Sequence, residues 1–491
     1  MGDAKSVFIP ELDDYPLGRK ALRGLRFIHT HLTDEPLSNE DITDLALLRF
    51  DTIAAISIRE GLPYNIYAAY LMPYGSEKKY ETITSDFYRF ELDYDSFIHN
   101  LEDEMDRRRA IAAYDKYDKR ERAILVSAST KPKYEMEESM DELKELAMSS
   151  DVAVLDTVIQ RLKEVNPKYL LGEGKLKEIV INAMDKGATL LIFDQDLNPS
   201  QIRAIAEKTE IKVIDRSQLI LDIFARRAHS RDGKVQVELA QLKYTLPRLT
   251  GKGTAMSRLM GGIGGRGPGE MKLEIDRRRI RDRITRLEKE LDTLSEARKQ
   301  RKQRRVETGI PIVSIIGYTN AGKSTLLNAL TKSSTIVEDK MFATLDTASR
   351  RLRFPREREI IITDTVGFIR DLPKDLMAAF KSTLEELEDA DLLLHLVDIS
   401  NPRFEQQILS VENILQELKL KDKPRLIVFN KIDKVSMEEV VNIRLRYDAV
   451  AVSAIKPDSL DPLLKSIEHR IWESQLIYDN QKSEICNQKK V

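Results

Sequence analysis

The spacing of apolar residues changes several times along the 491-residue chain, and each spacing predicts a different kind of element. From about residue 120 to residue 214, short β-branched and aliphatic runs alternate with stretches whose apolar positions repeat at helical intervals. Such alternation is typical of a small parallel sheet flanked by helices. We predict strands at 123–127, 152–160, 189–193 and 212–214, and helices at 140–148, 176–186 and 200–209.

The stretch before residue 118 mixes strand-like and helical spacing without regular alternation, which indicates an α+β extension. We predict strands at 25–28, 52–58 and 65–71, and helices at 39–48 and 94–117.

Two later segments repeat their apolar residues at intervals of three and four, as paired helices do. The first series is Val235, Leu239, Leu242, Leu246 and Leu249, and the second is Leu273, Ile280, Ile284, Leu287, Leu291 and Leu294. A glycine-rich stretch, 250–269, joins them. The pattern therefore predicts a long antiparallel helical hairpin with a flexible tip.

The second helix of this hairpin is strongly basic. Between residues 271 and 306 it carries fourteen Lys or Arg against seven Asp or Glu, in a chain whose overall net charge is only −2. A solvated helix face is one interpretation, but a local excess of this size favours a phosphate-rich partner. Lys252, Arg258 and Arg266 in the tip are our candidates for contact with RNA. A passive linker is the alternative for the tip.

Residues 312–316 form a β-branched run, and 325–330 have helical spacing, so the segment 317–324 between them lies in a strand–loop–helix context. Its sequence, GYTNAGKS, has the spacing of a phosphate-binding loop. Glycines there let backbone N–H groups point at phosphate oxygens. We expect Lys323 to reach the β and γ phosphates and Ser324 to hold Mg²⁺.

Two further motifs follow in the order expected of a nucleotide switch. The polar stretch 342–346 contains Thr344, which we expect to sense the γ-phosphate and Mg²⁺. A strand at 360–362 then leads to Asp364, predicted to hold Mg²⁺ through water, and to Gly367, whose amide would meet the γ-phosphate. We predict Lys323, Thr344 and Gly367 as the catalytic residues and Ser324, Thr344 and Asp364 as the magnesium ligands.

The choice of base comes from Asn430, Lys431 and Asp433 after an apolar strand. A carboxylate at 433 accepts from both N1–H and the exocyclic amine of guanine, which adenine does not offer. Residues 453–455 would present a backbone amide to the guanine carbonyl. The predicted GTP-binding residues are Gly317, Tyr318, Thr319, Asn320, Ala321, Gly322, Lys323, Ser324, Thr325, Asp364, Thr365, Val366, Gly367, Asn430, Lys431, Asp433, Ser453, Ala454 and Ile455.

Phe368 follows Gly367 where many GTPases have a glutamine that orients the attacking water. Phenylalanine has no group for that task, so we expect slow intrinsic hydrolysis and activation by a partner. Asn320 resembles the residue with which potassium-activated GTPases coordinate a monovalent cation. K⁺ is therefore a candidate second cofactor, and a purely structural asparagine is the alternative.

His29 and His31 lie at i and i+2 of a predicted strand and so point to the same side, and Asp41 follows ten residues later. Three such residues can hold zinc and leave one position open. With Ser38, the spacing resembles the JAMM-type metallopeptidases, although these usually have seven residues rather than six between the second His and the Ser. Glu11 is the nearest candidate general base. We expect a remnant or docking module rather than a working hydrolase.

Composition places the chain in the cytoplasm. Its one cysteine, Cys486, excludes an intramolecular disulfide, and its longest apolar runs are too short to span a bilayer. The amino terminus lacks the apolar core of a signal peptide. We expect a cytoplasmic monomer that makes no contact with a membrane.

Four long motifs, at 219–225, 237–242, 266–270 and 342–346, resemble those of the HflX family of ribosome-associated GTPases. The resemblance covers about residues 120–475. It implies binding to the large ribosomal subunit and its rRNA, with the glycine-rich tip directed toward the peptidyl transferase region, and GTP-dependent splitting of stalled or idle ribosomes. The family more often has Thr-Gln after Glu270, where this chain has Met271 and Lys272.

These observations predict a multidomain α/β protein. We expect a metallopeptidase-like remnant at 1–118, a parallel α/β subdomain at 119–230, the basic hairpin at 231–306, a P-loop GTPase domain at 307–473 and a disordered tail at 474–491. The predicted activity is hydrolysis of GTP to GDP and phosphate with Mg²⁺. A GTP-gated RNA-binding or ribosome-assembly factor that does not split ribosomes is the alternative, and a zinc peptidase is a third reading.

Overall fold

The structure is a computed structural model of the protein and divides the chain into two compact units. They comprise Met1–Ala147 with Asp151–Arg216, and Met148–Ser150 with Ser217–Val491. The described residues are 2–3, 6–7, 21–73, 76, 78–112, 120–209, 211–249, 268–331, 341–342, 348–354, 358–370 and 385–473.

After a short antiparallel pair of strands at 2–3 and 6–7, the first unit contains a four-stranded sheet in the order β3-β4-β5-β6. Strand β3 is parallel to β4, and the other pairs are antiparallel. Leu45, Ile53 and Leu101 belong to the core between this sheet and its helices. The elements are β1 (Gly2–Asp3), β2 (Ser6–Val7), β3 (Arg26–His31), α1 (Asn39–Leu48), β4 (Thr52–Arg59), β5 (Leu62–Leu71), β6 (Tyr80–Asp86) and α2 (Tyr94–Ala112).

The rest of the first unit is a parallel sheet in the order β10-β9-β7-β8. Its strands alternate with helices along the chain, because each parallel connection needs a crossover. Ile124, Leu191 and Phe193 contribute to its core. The elements are β7 (Arg122–Ser129), α3 (Lys133–Ser149), β8 (Ala153–Arg161), α4 (Glu173–Asp185), β9 (Leu190–Phe193), α5 (Pro199–Ala206) and β10 (Lys212–Asp215).

Among the described residues, the second unit contains helices α6 (Arg216–Arg227, whose first residue belongs to the first unit), α7 (Arg231–Thr245) and α8 (Pro268–Thr308). Helices α7 and α8 pack on each other through an apolar cluster. Its buried members are Val235, Leu239 and Leu287, with Leu242, Ile284, Leu291 and Leu294 partly buried beside them. Ion pairs between described residues also join the helices: Arg231 to Glu290, Glu238 to Arg283, and Lys243 to Glu288.

The apolar series predicted for the first of these helices extends too far. Helix α7 ends at Thr245, and Leu246–Arg248 forms a 3₁₀ turn that contains Pro247. Proline has no backbone N–H and its ring clashes with the preceding turn, so a helix does not continue through it. Leu246 and Leu249 therefore lie beyond the helix. The tip residues Lys252, Arg258 and Arg266 fall outside the described residues.

The remainder of the second unit is a six-stranded sheet in the order β12-β13-β11-β14-β15-β16, with only β12 antiparallel to its neighbour. The carboxyl ends of β11, β13, β14 and β15 therefore meet at one edge, where ligands of open α/β sheets bind. The elements are β11 (Ile312–Gly317), α9 (Lys323–Thr331), β12 (Ala348–Arg353), β13 (Glu359–Asp364), β14 (Leu392–Asp398), α10 (Phe404–Glu417), β15 (Arg425–Asn430), α11 (Met437–Tyr447), β16 (Val450–Ala451) and α12 (Asp461–Glu468).

The described residues also contain short helical turns. Four further 3₁₀ segments lie at Phe87–Arg89, Glu385–Asp389, Ile432–Lys434 and Pro457–Ser459, and a π-helical turn lies at His469–Glu473. Among the described residues no helix is long and apolar enough to cross a membrane. The predicted tail, 474–491, lies outside them.

Candidate nucleotide site and histidine cluster

The loop between β11 and α9 has a backbone that requires glycine at two positions. Gly317 has φ 150°, and a Cβ there would clash with the Leu396 carbonyl oxygen. Gly322 has φ 93°, and its Cβ would clash with Asn430 Nδ2. Any side chain at either position would push the neighbouring strand end or the loop aside. These two glycines therefore keep the loop close to the carboxyl edge of the sheet.

The loop lysine is buried. Lys323 Nζ donates to the carbonyl oxygens of Gly317 at 3.2 Å and Tyr318 at 2.8 Å. Burial lowers the pKa of its ammonium group to about 8, and the nearby Asp364 carboxylate partly opposes this shift. A buried cation wrapped by its own loop is well placed to pair with phosphate oxygens, which would favour the charged form.

The two described magnesium candidates meet directly. Ser324 Oγ donates to Asp364 Oδ2 at 2.7 Å, and Asp364 is buried at the end of β13. A hydroxyl and a carboxylate at this spacing supply oxygen atoms, which are the ligands that Mg²⁺ prefers. The donor set therefore fits magnesium. Thr344, the third predicted ligand, lies outside the described residues.

Asn430 joins the phosphate loop to the segment after β16. Its Nδ2 donates to the Ala321 carbonyl oxygen at 2.8 Å, and its Oδ1 accepts from the Ala454 amide at 2.9 Å. Ser453 Oγ in turn donates to Asp433 Oδ1, and this bond holds the pKa of the Asp433 carboxyl below its usual value. The residues predicted for guanine recognition thus lie together, with Asp433 as a carboxylate acceptor.

The sequence analysis did not predict Asp398, which pairs with Lys431 beside the residues predicted for guanine recognition. Lys431 adopts a left-handed conformation with φ 62°, and its Nζ bonds the Asn320 carbonyl oxygen at 2.9 Å and Asp398 Oδ2 at 2.7 Å. Asp398 ends the apolar strand β14 and is the register partner of Asn430. The sequence signal for Asp398 is an acidic residue at the end of an apolar strand that pairs in parallel with the strand ending in Asn430.

The backbone of Phe368 lies against the phosphate loop. Its carbonyl oxygen accepts from the Thr319 amide at 2.8 Å, and its own amide donates to the Gly317 carbonyl oxygen at 3.1 Å. The ring is buried, with 2% exposed. A Cβ on the preceding Gly367 would lie 2.8 Å from Thr319 Cγ2 and 3.0 Å from the Thr319 Cα, so a side chain there would displace the phosphate loop. The described residues here thus place a backbone, rather than a polar side chain, beside the loop.

A second contact that the sequence did not predict links the same two segments. The Tyr318 hydroxyl accepts a hydrogen bond from the Arg370 amide at 2.7 Å, and Tyr318 is buried. The phosphate loop is thereby tied to the residues that follow Asp364 at two places.

Comparison with known proteins agrees with this geometry. Residues 312–431 match the model described as 50S ribosome-binding GTPase, residues 137–225 match GTP-binding GTPase N-terminal, and residues 227–305 match GTP-binding GTPase Middle Region. GTPase HflX of Caldanaerobacter subterraneus is 49% identical over 72% of this chain and 81% of its own length. The chain belongs to the HflX family of GTPases.

Other relatives bear the same name. GTPase HflX of Escherichia coli is 44% identical over 65% of this chain and 75% of its own length. Among solved structures, a GTP-binding protein from Sulfolobus solfataricus in complex with GDP is 25% identical, with a TM-score of 0.40. That match covers 71% of this chain and 99% of the other, and at that score we draw nothing from it. The prediction of a GTPase is confirmed by the family.

Residues from before the predicted GTPase domain contact the start of the segment that we predict to be the first switch. Phe342 adopts a left-handed conformation with φ 55°, and its ring lies 4.6 Å from that of Phe224 on α6. The neighbouring Met341 amide donates to Ser149 Oγ at 3.0 Å. Phe224, Met341 and Phe342 are all buried. Thr344 follows two residues after this anchor.

His29, His31 and Asp41 converge in the first unit. The two Nε2 atoms lie 3.0 Å apart, His29 Nε2 lies 3.4 Å from Asp41 Oδ1, and His31 Nε2 lies 4.0 Å from Asp41 Oδ2. One potential ligand atom from each residue thus lies within 4.8 Å of the other two. Burial lowers the pKa of His29, while the Asp41 carboxylate opposes that shift. Glu11, the candidate general base, lies outside the described residues.

Proposed function

We propose that the protein binds the large ribosomal subunit and uses GTP binding and hydrolysis to split or recycle stalled or idle ribosomes. The observation that carries the proposal is that a basic helix, α8, and the nucleotide site belong to one compact unit. The match of residues 312–431 to a 50S ribosome-binding GTPase supports the partner. Membership in the HflX family supports it further.

Helix α8 presents its positive charge away from its partner helix. At about 100° per residue, Arg278 and Arg286 lie on the side of the helix away from the apolar seam, and Arg281 lies on its flank. All three are exposed, and none forms an ion pair with another described residue. Unpaired arginines on a rigid helix are well suited to phosphate contacts along an RNA backbone. We propose that Lys252, Arg258 and Arg266 extend this surface to rRNA at the tip.

In the nucleotide site, Lys323 and the Gly367 amide would pair with the β and γ phosphates, and Asp433 would select guanine. Ser324, Thr344 and Asp364 would hold Mg²⁺, which, when bound, offsets the charge that develops on the transferred phosphoryl group. The buried Phe368 ring offers no group to orient water, so the ribosome would supply what hydrolysis needs. We therefore expect slow GTP hydrolysis by the protein alone and faster hydrolysis when it is bound to the ribosome.

A K⁺ ion beside Asn320 is part of this proposal. Asn320 is exposed at the nucleotide edge in a left-handed conformation with φ 62°, and its carbonyl is held by Lys431. We expect faster hydrolysis in potassium than in sodium buffer. Equal rates in the two buffers would remove K⁺ from the cofactors.

Sedimentation tests the central proposal. Joined ribosomes are incubated with the protein and either a non-hydrolysable GTP analogue or GDP. Splitting predicts loss of the joined peak and gain of both subunits with the analogue but not with GDP. A joined peak that persists with bound protein would instead favour an assembly or RNA-binding factor. GTPase rates that are unchanged by added large subunits would contradict both the partner and the activation.

A further inference from the structure

We propose that His29, His31 and Asp41 form a site for one zinc ion in the first unit. This site goes beyond the proposed GTPase function, and none of its residues belongs to the nucleotide site. Each of the three residues is fixed by a different part of the local structure, and together they supply a donor set of two imidazoles and one carboxylate.

Local backbone structure brings the three side chains together. The two histidines alternate with Thr30 on β3 and therefore share one face of the sheet. Asp41 is the third residue of α1 and forms a capping box with Ser38. Its Oδ2 accepts from the Ser38 amide at 2.7 Å and the Ser38 hydroxyl at 2.8 Å. The start of the helix thus holds the carboxylate toward the strand.

The separations suit a small ion with tetrahedral ligands. Two atoms that each lie about 2.0–2.1 Å from zinc at a tetrahedral angle are about 3.3 Å apart. The three measured separations, 3.0, 3.4 and 4.0 Å, lie on either side of this value. Shifts of less than about 1 Å in the side chains would equalise them, and three protein ligands leave the fourth position to water.

The Glu35 carbonyl oxygen fixes the tautomer of neutral His31. Its Nδ1 lies 2.9 Å from the Glu35 carbonyl oxygen, which can only accept a hydrogen bond. The proton of a neutral His31 therefore belongs on Nδ1, and the lone pair of Nε2 faces His29 and Asp41. Metal-bound histidines are usually oriented by a bond of this kind.

His29 is held differently. Its Nδ1 is buried without a hydrogen-bond partner among the described residues, and its ring lies 5.2 Å from that of Phe27. Packing rather than a second bond therefore orients this ring. We expect His29 to be the more weakly oriented of the two imidazole ligands.

A hydrogen-bonded cluster without metal is the competing interpretation, and it leaves donors and acceptors poorly matched. Two Nε2 atoms at 3.0 Å can share only one proton between them. With the His31 proton on Nδ1, His29 Nε2 must serve both His31 and Asp41. One divalent cation would satisfy both lone pairs and the carboxylate at the same time.

Metal content of the full-length protein provides the test. The purified chain is stripped with a chelator, reloaded with zinc, dialysed and analysed for metal and protein. We expect about one zinc per chain, and less than about 0.2 in the variant His31→Ala with Asp41→Asn. Titration with Co²⁺ should give visible ligand-field absorption in the native chain that this variant lacks.

His99 and Asp103 provide a matched control in the same unit. They form an exposed pair 4.0 Å apart on α2, so His99→Ala with Asp103→Asn removes the same two residue types away from the site. This control should retain zinc as the native chain does. GDP affinity and circular dichroism of every variant establish that folding and the nucleotide site are intact, so failure here is distinguishable from failure of the GTPase proposal.

Ser38→Ala tests the arrangement if the double variant misfolds. It keeps all three ligands but removes the hydroxyl that holds Asp41, so zinc affinity should fall about tenfold to a hundredfold. Zinc below about 0.1 per chain after reloading, or equal zinc in the ligand and control variants, would overturn the site. Retention of another divalent ion with zinc excluded would overturn the assignment to zinc.

Discussion

At the residue scale, Lys323 is a buried cation whose surroundings disfavour its charge. Its ammonium group bonds only backbone carbonyl oxygens of its own loop among the described residues, and its burial weakens the charged form. Phosphate oxygens would reverse that balance. We therefore expect Lys323, the residue predicted to contact the phosphates, to couple nucleotide binding to protons.

We predict proton uptake when GDP binds above pH 8. Burial lowers the pKa of Lys323 to about 8, and a bound phosphate would raise it, so between the two values binding takes up as much as one proton. Affinity should fall by no more than about tenfold per pH unit over that range. Calorimetry at about pH 9 in two buffers of different ionisation enthalpy measures the uptake. The same proton number at about pH 7 would contradict the prediction.

At the element scale, helices α6 and α8 each make a contact that bears on the proposed function. Helix α6 contributes Phe224 to the anchor of Phe342, at the start of the first switch. Helix α8 is held to α7 by its apolar seam and turns its arginines outward. One helix thus contacts a segment that we predict to sense nucleotide, and another carries the surface that we propose for the partner.

We predict that Phe224→Leu weakens binding of a GTP analogue more than binding of GDP. The substitution loosens the support of Phe342 and hence the placement of Thr344, which we expect to contact the γ-phosphate only. The difference should be on the order of 1 kcal/mol, about fivefold in affinity. Phe354→Leu is the control, because Phe354 packs on Trp472 in the same unit. Equal losses for both nucleotides would indicate a purely structural role.

We predict that reversing the charge of Arg278, Arg281 and Arg286 to Glu weakens ribosome binding and its salt dependence. Losing three phosphate contacts should reduce the slope of log K against log salt by about two to three. Reversal of Lys421, Arg444 and Lys465, exposed residues of the GTPase domain, is the charge-matched control. If both triple variants bind alike, α8 is not the contact surface.

At the scale of the whole molecule, the two candidate sites belong to different compact units. The His29 cluster belongs to the first unit, and the nucleotide site belongs to the second. The single tryptophan of the chain, Trp472, lies in the second unit. Its fluorescence therefore reports one unit alone, whereas circular dichroism reports both.

We predict that GDP raises the unfolding midpoint seen by Trp472 fluorescence. A ligand at about one hundred times its dissociation constant stabilises the state that binds it by about 2.7 kcal/mol. The part of the circular dichroism transition that belongs to the first unit should not move. Zinc should shift that part and leave the fluorescence midpoint unchanged. A single transition that both ligands raise equally would show that the units unfold as one.

Local patterns predicted the regular elements well where apolar spacing was strong and poorly where it was weak. Helix α3 begins at Lys133, whereas the apolar spacing predicted a start at 140, because four of the seven residues 133–139 are charged and give no apolar repeat. Strand β6 was missed altogether, since its residues are mostly exposed and its place depends on pairing with β5. In both cases a neighbour in space supplies what the local sequence lacks.

The sequence by itself determined the GTPase family and the residue types of both sites. The phosphate loop is a local motif, and parallel strands must bring their carboxyl ends to one edge, so order along the chain was enough. Only the tertiary structure decided that Asp41 closes on His29 and His31 and that Met341 meets Ser149, 192 residues away. Contacts of that kind depend on how helices pack and are capped, which the spacing of residues along a chain does not encode.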